Sequence, residues 1–274
     1  MFFDTCSFFE KMNFPLYIFV LKMLLLEEKN RHERDSQIFF FEDSHVYQYQ
    51  NRTFISVTTV IHSLFEPFNE DDAIQRILTS TNPSSKYKHK SFQDIRNMWA
   101  EQKEASLSAG LHLQKDIENF YNHESIINSS PEYQYFLNFV RDHHHLIPYR
   151  TEWKIFDEDY DIAGTIDMCY VDKGFLTIYD WKRVRNISRE NKFQKFAIKK
   201  KLSHLPDNNF THYALQLNLY RFILERKYGK VVQKMFLVVL HPENQNEDYI
   251  LVPIPTMRKE IKIILNDLKK QCSK

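Results

Sequence analysis

The sequence predicts a single α/β domain with an N-terminal helical and β subregion folded onto it. Three observations carry that prediction. Residues 150–182, RTEWKIFDEDYDIAGTIDMCYVDKGFLTIYDWK, read as three consecutive strands; Phe210–Tyr228 reads as a strong helix; and two late strands and an amphipathic helix follow it. The chain has 274 residues, 43% hydrophobic and 15% aromatic, enough to bury a sizeable core. Its net charge of +1 gives no global pull toward a polyanion, so any such pull must be local. Cys6, Cys169 and Cys272 are scattered and form no CxxC. That pattern predicts an intracellular, reducing compartment and argues against a zinc ribbon or a four-cysteine iron–sulfur cluster.

Residues 1–36 read as an extension, either an apolar helix or a disordered segment, ahead of one domain over 37–274. The apolar run Phe14–Leu26 is interrupted by Lys22 and falls short of the roughly 20 residues a membrane span needs. Neither a basic start nor a small-residue cleavage site marks a signal peptide. Asp4 and Glu10 speak weakly against a transit peptide, so mitochondrial targeting stays open. The compact pattern begins near Gln37. IFFFED, HVYQYQ and TFISVT predict three short strands with turns at Asp43-Ser44 and Asn51-Arg52. Thr58 or Thr59 caps a helix through Leu64, Pro67 breaks it, and Asp71–Leu78 is a second helix. A loop over 79–90 precedes a long helix, Phe92–Tyr121, and Pro131 opens a further helix over Glu132–His145. On the long helix, about 100° per residue puts Leu113, Ile117, Phe120 and Tyr121 on one side. Gln114 lies within roughly 40° of that face's centre, whereas His112 points almost the opposite way.

The central strands are Thr151–Asp157, Ile162–Val171 and Phe175–Lys182. If Lys173-Gly174 is a two-residue turn, Asp172 opposes Phe175 and Asp167 falls directly opposite Asp180, with Lys182 on the same face. Carboxylates roughly 5 Å apart repel by about 3 kcal/mol at an effective dielectric near 20. Cys169, Val171, Leu176 and Ile178 make one face apolar, and Ile166, Met168, Tyr170, Tyr179 and Trp181 the other. Two buried carboxylates are costly there, and a bound cation is the simplest resolution. A structural ion pair with Lys182 is the alternative.

The segment KRVRNISRENKFQKFAIKKK sets Lys182, Arg183, Arg185, Arg189, Lys192, Lys195, Lys199, Lys200 and Lys201 against a single acid, Glu190, with Phe193 and Phe196 among them. This pattern suits a phosphate backbone with unstacked bases; a solvated basic loop is the other reading. Gly229 ends the helix Phe210–Tyr228, on which Gln216 and Tyr220 share a face at i,i+4. Strands Lys234–Leu240 and Tyr249–Ile254 and the helix Met257–Lys270 complete the chain.

In order, Glu152, Gly164-Thr-Ile-Asp167, Asp180-Trp-Lys182 and Gln216-Leu-Asn-Leu-Tyr220 resemble the PD-(D/E)XK nuclease superfamily. The match is with its RecB-like exonuclease branch, which includes the mitochondrial genome maintenance exonuclease and viral and phage relatives. The resemblance spans residues 40 to 254. It implies a restriction-endonuclease-like core over about 105–255, with a central mixed β-sheet flanked by helices. By that resemblance, Asp167 and Asp180 would bind Mg²⁺ or Mn²⁺ with the carbonyl of Trp181. Lys182 would orient or activate a water, and Glu152 would hold that water or a second metal. Gln216 and Tyr220 would position a phosphate, and the basic segment, including Arg183, Arg185, Lys192 and Lys195, would guide single-stranded DNA. The proline of the family name is Ile166 here. More consequentially, Gln114 stands where the branch usually has a metal-binding histidine, and an amide oxygen is the weaker ligand. The implied activity is a metal-dependent exonuclease on single-stranded DNA ends, in replication, repair or recombination. A flap or restriction-type endonuclease and a catalytically weak DNA-binding scaffold are the alternatives. No membrane partner and no small-molecule cofactor are expected.

Overall fold

The computed structural model describes residues 25–42, 44–80, 86–191 and 193–272. All but the end of the apolar run Phe14–Leu26 lies outside them, as do Asp43 of the expected first turn and Lys192 of the basic segment. Among the described residues, eight strands form one mixed sheet. They are β1 (Ile38–Phe41), β2 (Val46–Tyr49), β3 (Arg52–Ser56), β4 (Ile147–Asp157), β5 (Ile162–Asp172), β6 (Phe175–Lys182), β7 (Val231–Val239) and β8 (Ile250–Pro253). The helices are α1 (Leu26–Lys29), α2 (Val57–His62), α3 (Glu70–Leu78), α4 (Phe92–Tyr121), α5 (Pro131–Asp142), α6 (Asn209–Lys227) and α7 (Arg258–Cys272). No described helix is long and apolar enough to cross a membrane.

The strand order is β1-β2-β3-β5-β6-β7-β8, with β4 paired to β5 off that path. The β3–β5 and β6–β7 pairs are parallel and the others antiparallel. A strand has only two edges. β4 runs along the whole of one edge of β5, so β3 and β6 share the other. β3 pairs with Ile162 and Ala163, and β6 pairs from Met168 onward. Between them, residues 164–167 belong to neither ladder, and this fork holds the candidate site.

Two apolar clusters flank the sheet. One joins Trp153, Phe156, Ile162 and Ile178 with α2, α6 and α7 through Ile61, Leu219 and Ile264. The other sets Met168, Tyr170, Tyr179 and Trp181 under α4 and α5 through Leu113, Ile117, Phe136 and Phe139. Ile166 belongs to the first cluster rather than sharing the second with Met168, so the expected alternation breaks between them.

Several boundaries differ from the sequence reading, each for a local reason. The β2–β3 turn is Gln50-Asn51, not Asn51-Arg52, because both of its residues take positive φ (46° and 63°). Ser56, not Thr58 or Thr59, caps α2: its Oγ accepts the Thr59 N–H at 3.0 Å. That helix stops at His62, and α5 stops at Asp142. β4 starts at Ile147 because its ladder continues past a bulge between Pro148 and Arg150. The packed chain also starts before Gln37. Asn30 Nδ2 donates to Tyr149 O at 2.7 Å, and the buried side chain of Asp35 accepts from Arg150 at 2.6 Å and Trp153 Nε1 at 3.0 Å. These polar anchors carry no periodic signal.

Candidate functional site

Turn chemistry sets the hairpin. Lys173 (φ 47°) and Gly174 (φ 84°) form the two-residue turn, and β5 and β6 pair from Asp172↔Phe175 to Met168↔Tyr179. The next opposed pair is Asp167 and Asp180, where the ladder ends. Trp181 N–H donates instead to Asp167 Oδ2 at 2.9 Å. Both carboxylates are buried, Asp167 being 8% and Asp180 2% exposed. Lys182 Nζ lies 2.6 Å from Asp180 Oδ2 and 5.0 Å from the Tyr213 ring centroid. Lys182 thus places its ammonium against the Asp180 carboxylate in a charge-assisted contact.

Burial pushes the Asp167 carboxyl well above its usual range, and Asp180 opposite pushes it further. Burial likewise raises Asp180, against the pull of Lys182. For Lys182, burial favours the neutral amine, but Asp180 and Asp167 outweigh it and hold the proton more tightly than usual.

Glu152 completes the acidic group from β4. The β4–β5 pairs Thr151↔Met168 and Trp153↔Ile166 flank it, so it sits across from Asp167 where the ladder skips. Its backbone has φ 47°, a region that non-glycine residues enter rarely and that stores strain. Burial raises its carboxyl to about 7, against a hydrogen bond from Gln114. Gln114 on α4 donates Nε2 to Glu152 Oε1 at 3.0 Å and to Asp167 Oδ1 at 3.4 Å. As the helical phase predicts, Gln114 faces the acids and His112 is exposed, its Nδ1 3.0 Å from Ser108 O. The amide presents N–H to both carboxylates, so a ligating Gln114 oxygen requires the amide to flip.

α6 starts at a cap in which Asn208 Oδ1 accepts the Thr211 N–H at 2.9 Å. Gln216 Nε2 donates to Tyr220 OH at 3.1 Å and to Thr58 Oγ1 at 3.0 Å. Tyr220 is buried against Gly164, where an added Cβ would lie 2.5 Å from Tyr220 Cε1. The glycine is therefore a condition of this contact. Tyr213 was missed in the sequence, although 213, 216 and 220 share one stripe of the helix at i, i+3 and i+7. Thr58 was invisible because its contact spans distant segments.

The basic segment is less bare than its sequence. Arg183 Nε donates to Glu132 at 2.7 Å, Arg185 pairs with Glu243 at 2.5 Å, Lys195 with Glu66 at 3.5 Å and Lys199 with Asp267 at 3.0 Å. Partners from four distant positions thus join the single local acid, Glu190. Phe193 is 80% and Phe196 46% exposed.

The sequence model of the PD-(D/E)XK nuclease superfamily matches residues 48–274, most of the chain and all of this site. The protein belongs to the PD-(D/E)XK nuclease superfamily. No curated protein matches the sequence significantly. Among solved structures, the crystal structure of SSO0001 aligns over 95% of this chain and 86% of its own at 14% identity. The TM-score is 0.29, too low for that likeness to carry an argument.

Members of the PD-(D/E)XK superfamily typically use divalent metals such as Mg²⁺. Among the described residues, no group of three or more His, Cys, Asp or Glu side chains is arranged to hold an ion. Mg²⁺ needs less than that: it keeps several waters and binds through one or two carboxylates and the substrate phosphate. Asp167 and Asp180 supply two buried carboxylates, and such hard oxygen donors suit a hard cation. The donor set fits such an ion.

Proposed function

We propose that this PD-(D/E)XK protein is a divalent-metal-dependent deoxyribonuclease of the RecB-like branch. It acts as an exonuclease on single-stranded DNA ends with Mg²⁺ or Mn²⁺. The observation that carries the reading is the buried Asp167–Asp180 pair with Lys182 Nζ 2.6 Å from Asp180 Oδ2. Asp167, Asp180 and the Trp181 carbonyl would hold the ion. When bound, the metal acidifies a water and offsets charge on the scissile phosphate.

The chain's own groups do the rest. Lys182, kept protonated by the two acids, donates to the phosphate oxygen on which negative charge builds. Glu152, facing Asp167, orients the attacking water. Gln216, Tyr220 and Thr58 form a hydrogen-bonded set that aligns the strand's phosphate. In the basic segment, the exposed pairs Arg185–Glu243 and Lys195–Glu66 hold their cations weakly, so phosphates can displace the glutamates. Arg183 and Glu132 are more buried, and their bond keeps the guanidinium in place.

Gln114 favours a second reading, a catalytically weak DNA-binding scaffold, because its amide already occupies both Glu152 and Asp167 with hydrogen bonds. End-labelled linear and circular single-stranded DNA, incubated with Mg²⁺ or Mn²⁺, separates the readings. An exonuclease shortens the linear strand and leaves the circle intact, and Lys182→Ala abolishes the activity. Nicking of the circle indicates an endonuclease. Salt-sensitive binding without turnover indicates the scaffold, and equal cleavage by Lys182→Ala defeats the proposed mechanism.

A further inference from the structure

Beside the carboxylates, α4 forms one wall of a cavity of about 190 Å³. Leu107 and Leu111 stand one helical turn apart along it, 60% and 59% exposed, and Trp181 and Arg183 from the end of β6 also line it. Gln114 lines the cavity and bonds Glu152 and Asp167, so cavity and site share a wall.

Gly110 lines the cavity as well, within a helix of 30 residues where glycine weakens the fold relative to alanine. No contact among the described residues asks for it. A Cβ built there meets no heavy atom within 4 Å, and its φ is not positive. What the missing side chain leaves is room.

We infer that this cavity receives one unstacked nucleobase of a single strand, next to the phosphate at the carboxylates; the inference rests on the nuclease reading above. The cavity is smaller than the roughly 300 Å³ at which pockets for drug-sized ligands begin, and it suits one planar ring system. Its leucine and indole walls offer apolar surface to a base of any sequence, as single-strand binding without sequence preference requires. Charge distinguishes this cavity from another beside the site. That one, of about 280 Å³, is lined by three acids, Glu27, Asp35 and Glu152, beside Arg150 and Lys154, a poorer surface for a phosphate strand. The cavity on α4 is lined by Arg183 and by no carboxylate, and Glu132 fixes that guanidinium at 2.7 Å.

The test is fluorescence anisotropy of the full chain with labelled oligodeoxythymidylate, Ca²⁺ replacing Mg²⁺ so that the strand stays intact. The strand is used whole or with one abasic site placed at successive positions from its end. Loss of the base at one position weakens binding about tenfold, the scale of a single stacked base. Gly110→Leu fills the cavity, melts at or above the wild-type temperature because leucine is the better helix former, and weakens binding of the whole strand by a similar factor. It also cancels the abasic effect, since the two changes remove one contact. Leu111→Ser, at an exposed position, weakens binding of the whole strand several-fold and leaves binding of the abasic strand unchanged. Wild-type affinity in both variants, or an abasic series that is flat at every position, overturns the inference. Failure of the wild type to bind any oligonucleotide overturns the nuclease reading and this inference with it.

Discussion

Glu152 and Asp167 face each other across β4 and β5 where the ladder between those strands lapses, and the Gln114 amide donates to both. An amide between two carboxylates is a holding arrangement. It satisfies acceptors that would otherwise be buried without a partner, and leaves them available to a cation or a water.

Glu152 makes the metal-free protein sensitive to pH. Burial raises its carboxyl to about 7 in the fold, above the ordinary 4.5. A folded pKa above the unfolded value means stability fully present below about 4.5 and lost as pH rises through 7. Glu152→Gln removes that loss. In EDTA at pH 8 it should melt above the wild type, by the equivalent of up to about 3 kcal/mol, while losing nuclease activity. Parallel melting curves against pH for the two proteins would refute this.

Metal binding should be visible without turnover. Saturating Mg²⁺ or Mn²⁺ stabilises the folded chain, by about 2.7 kcal/mol at 100 times the dissociation constant. Asp180→Asn removes one of the two carboxylates and should abolish most of the rise in melting temperature. A full rise in that variant moves the ion elsewhere.

Gly164 and Tyr220 are packed too closely for any side chain at 164. Gly164→Ala places a methyl 2.5 Å from Tyr220 Cε1 and should cost about 1–3 kcal/mol in denaturant unfolding. Tyr220→Leu in the same chain should recover part of that loss. A double-mutant cycle with no coupling would rule out the contact as the cause.

The turn from β4 to β5 titrates in the opposite sense from Glu152. Burial alone would raise the Glu158 carboxyl, but Arg34 at 2.5 Å and Lys227 at 2.9 Å hold it down to about 2. A depressed pKa gives stability that is full above about 4.5 and lost as pH falls through 2. The wild type should therefore be more stable than Glu158→Gln at pH 6, with the difference fading toward pH 2. A difference that is constant with pH points to packing instead.

What the sequence disclosed depended on how local its cause was. Lys173 and Gly174 fix the hairpin register by turn chemistry alone, so Asp167 opposite Asp180 was readable from spacing. The phase of α4 likewise separated Gln114 from His112. The positive φ at Glu152 was not readable, because no local propensity of glutamate encodes it. The ion pairs of Arg183 with Glu132 and Lys199 with Asp267 join distant segments, so a linear count of charges missed them. The family and the mixed sheet were legible from motif order, whereas the start of the packed chain, set by Asp35 beneath Arg150 and Trp153, was not.

α4 is held by Ile95 near one end and by Leu113, Ile117 and Tyr121 toward the other, and residues 101–108 between them are exposed throughout. Such a span behaves as a beam resting on two supports. Its middle turns take no part in either apolar cluster, so their amides exchange with solvent through local opening while the ends stay protected. A protease entering at Lys103 would meet bare helix and cut it there. Gln114 would keep its place over the acids, because the support beneath it lies wholly on its own side of the cut.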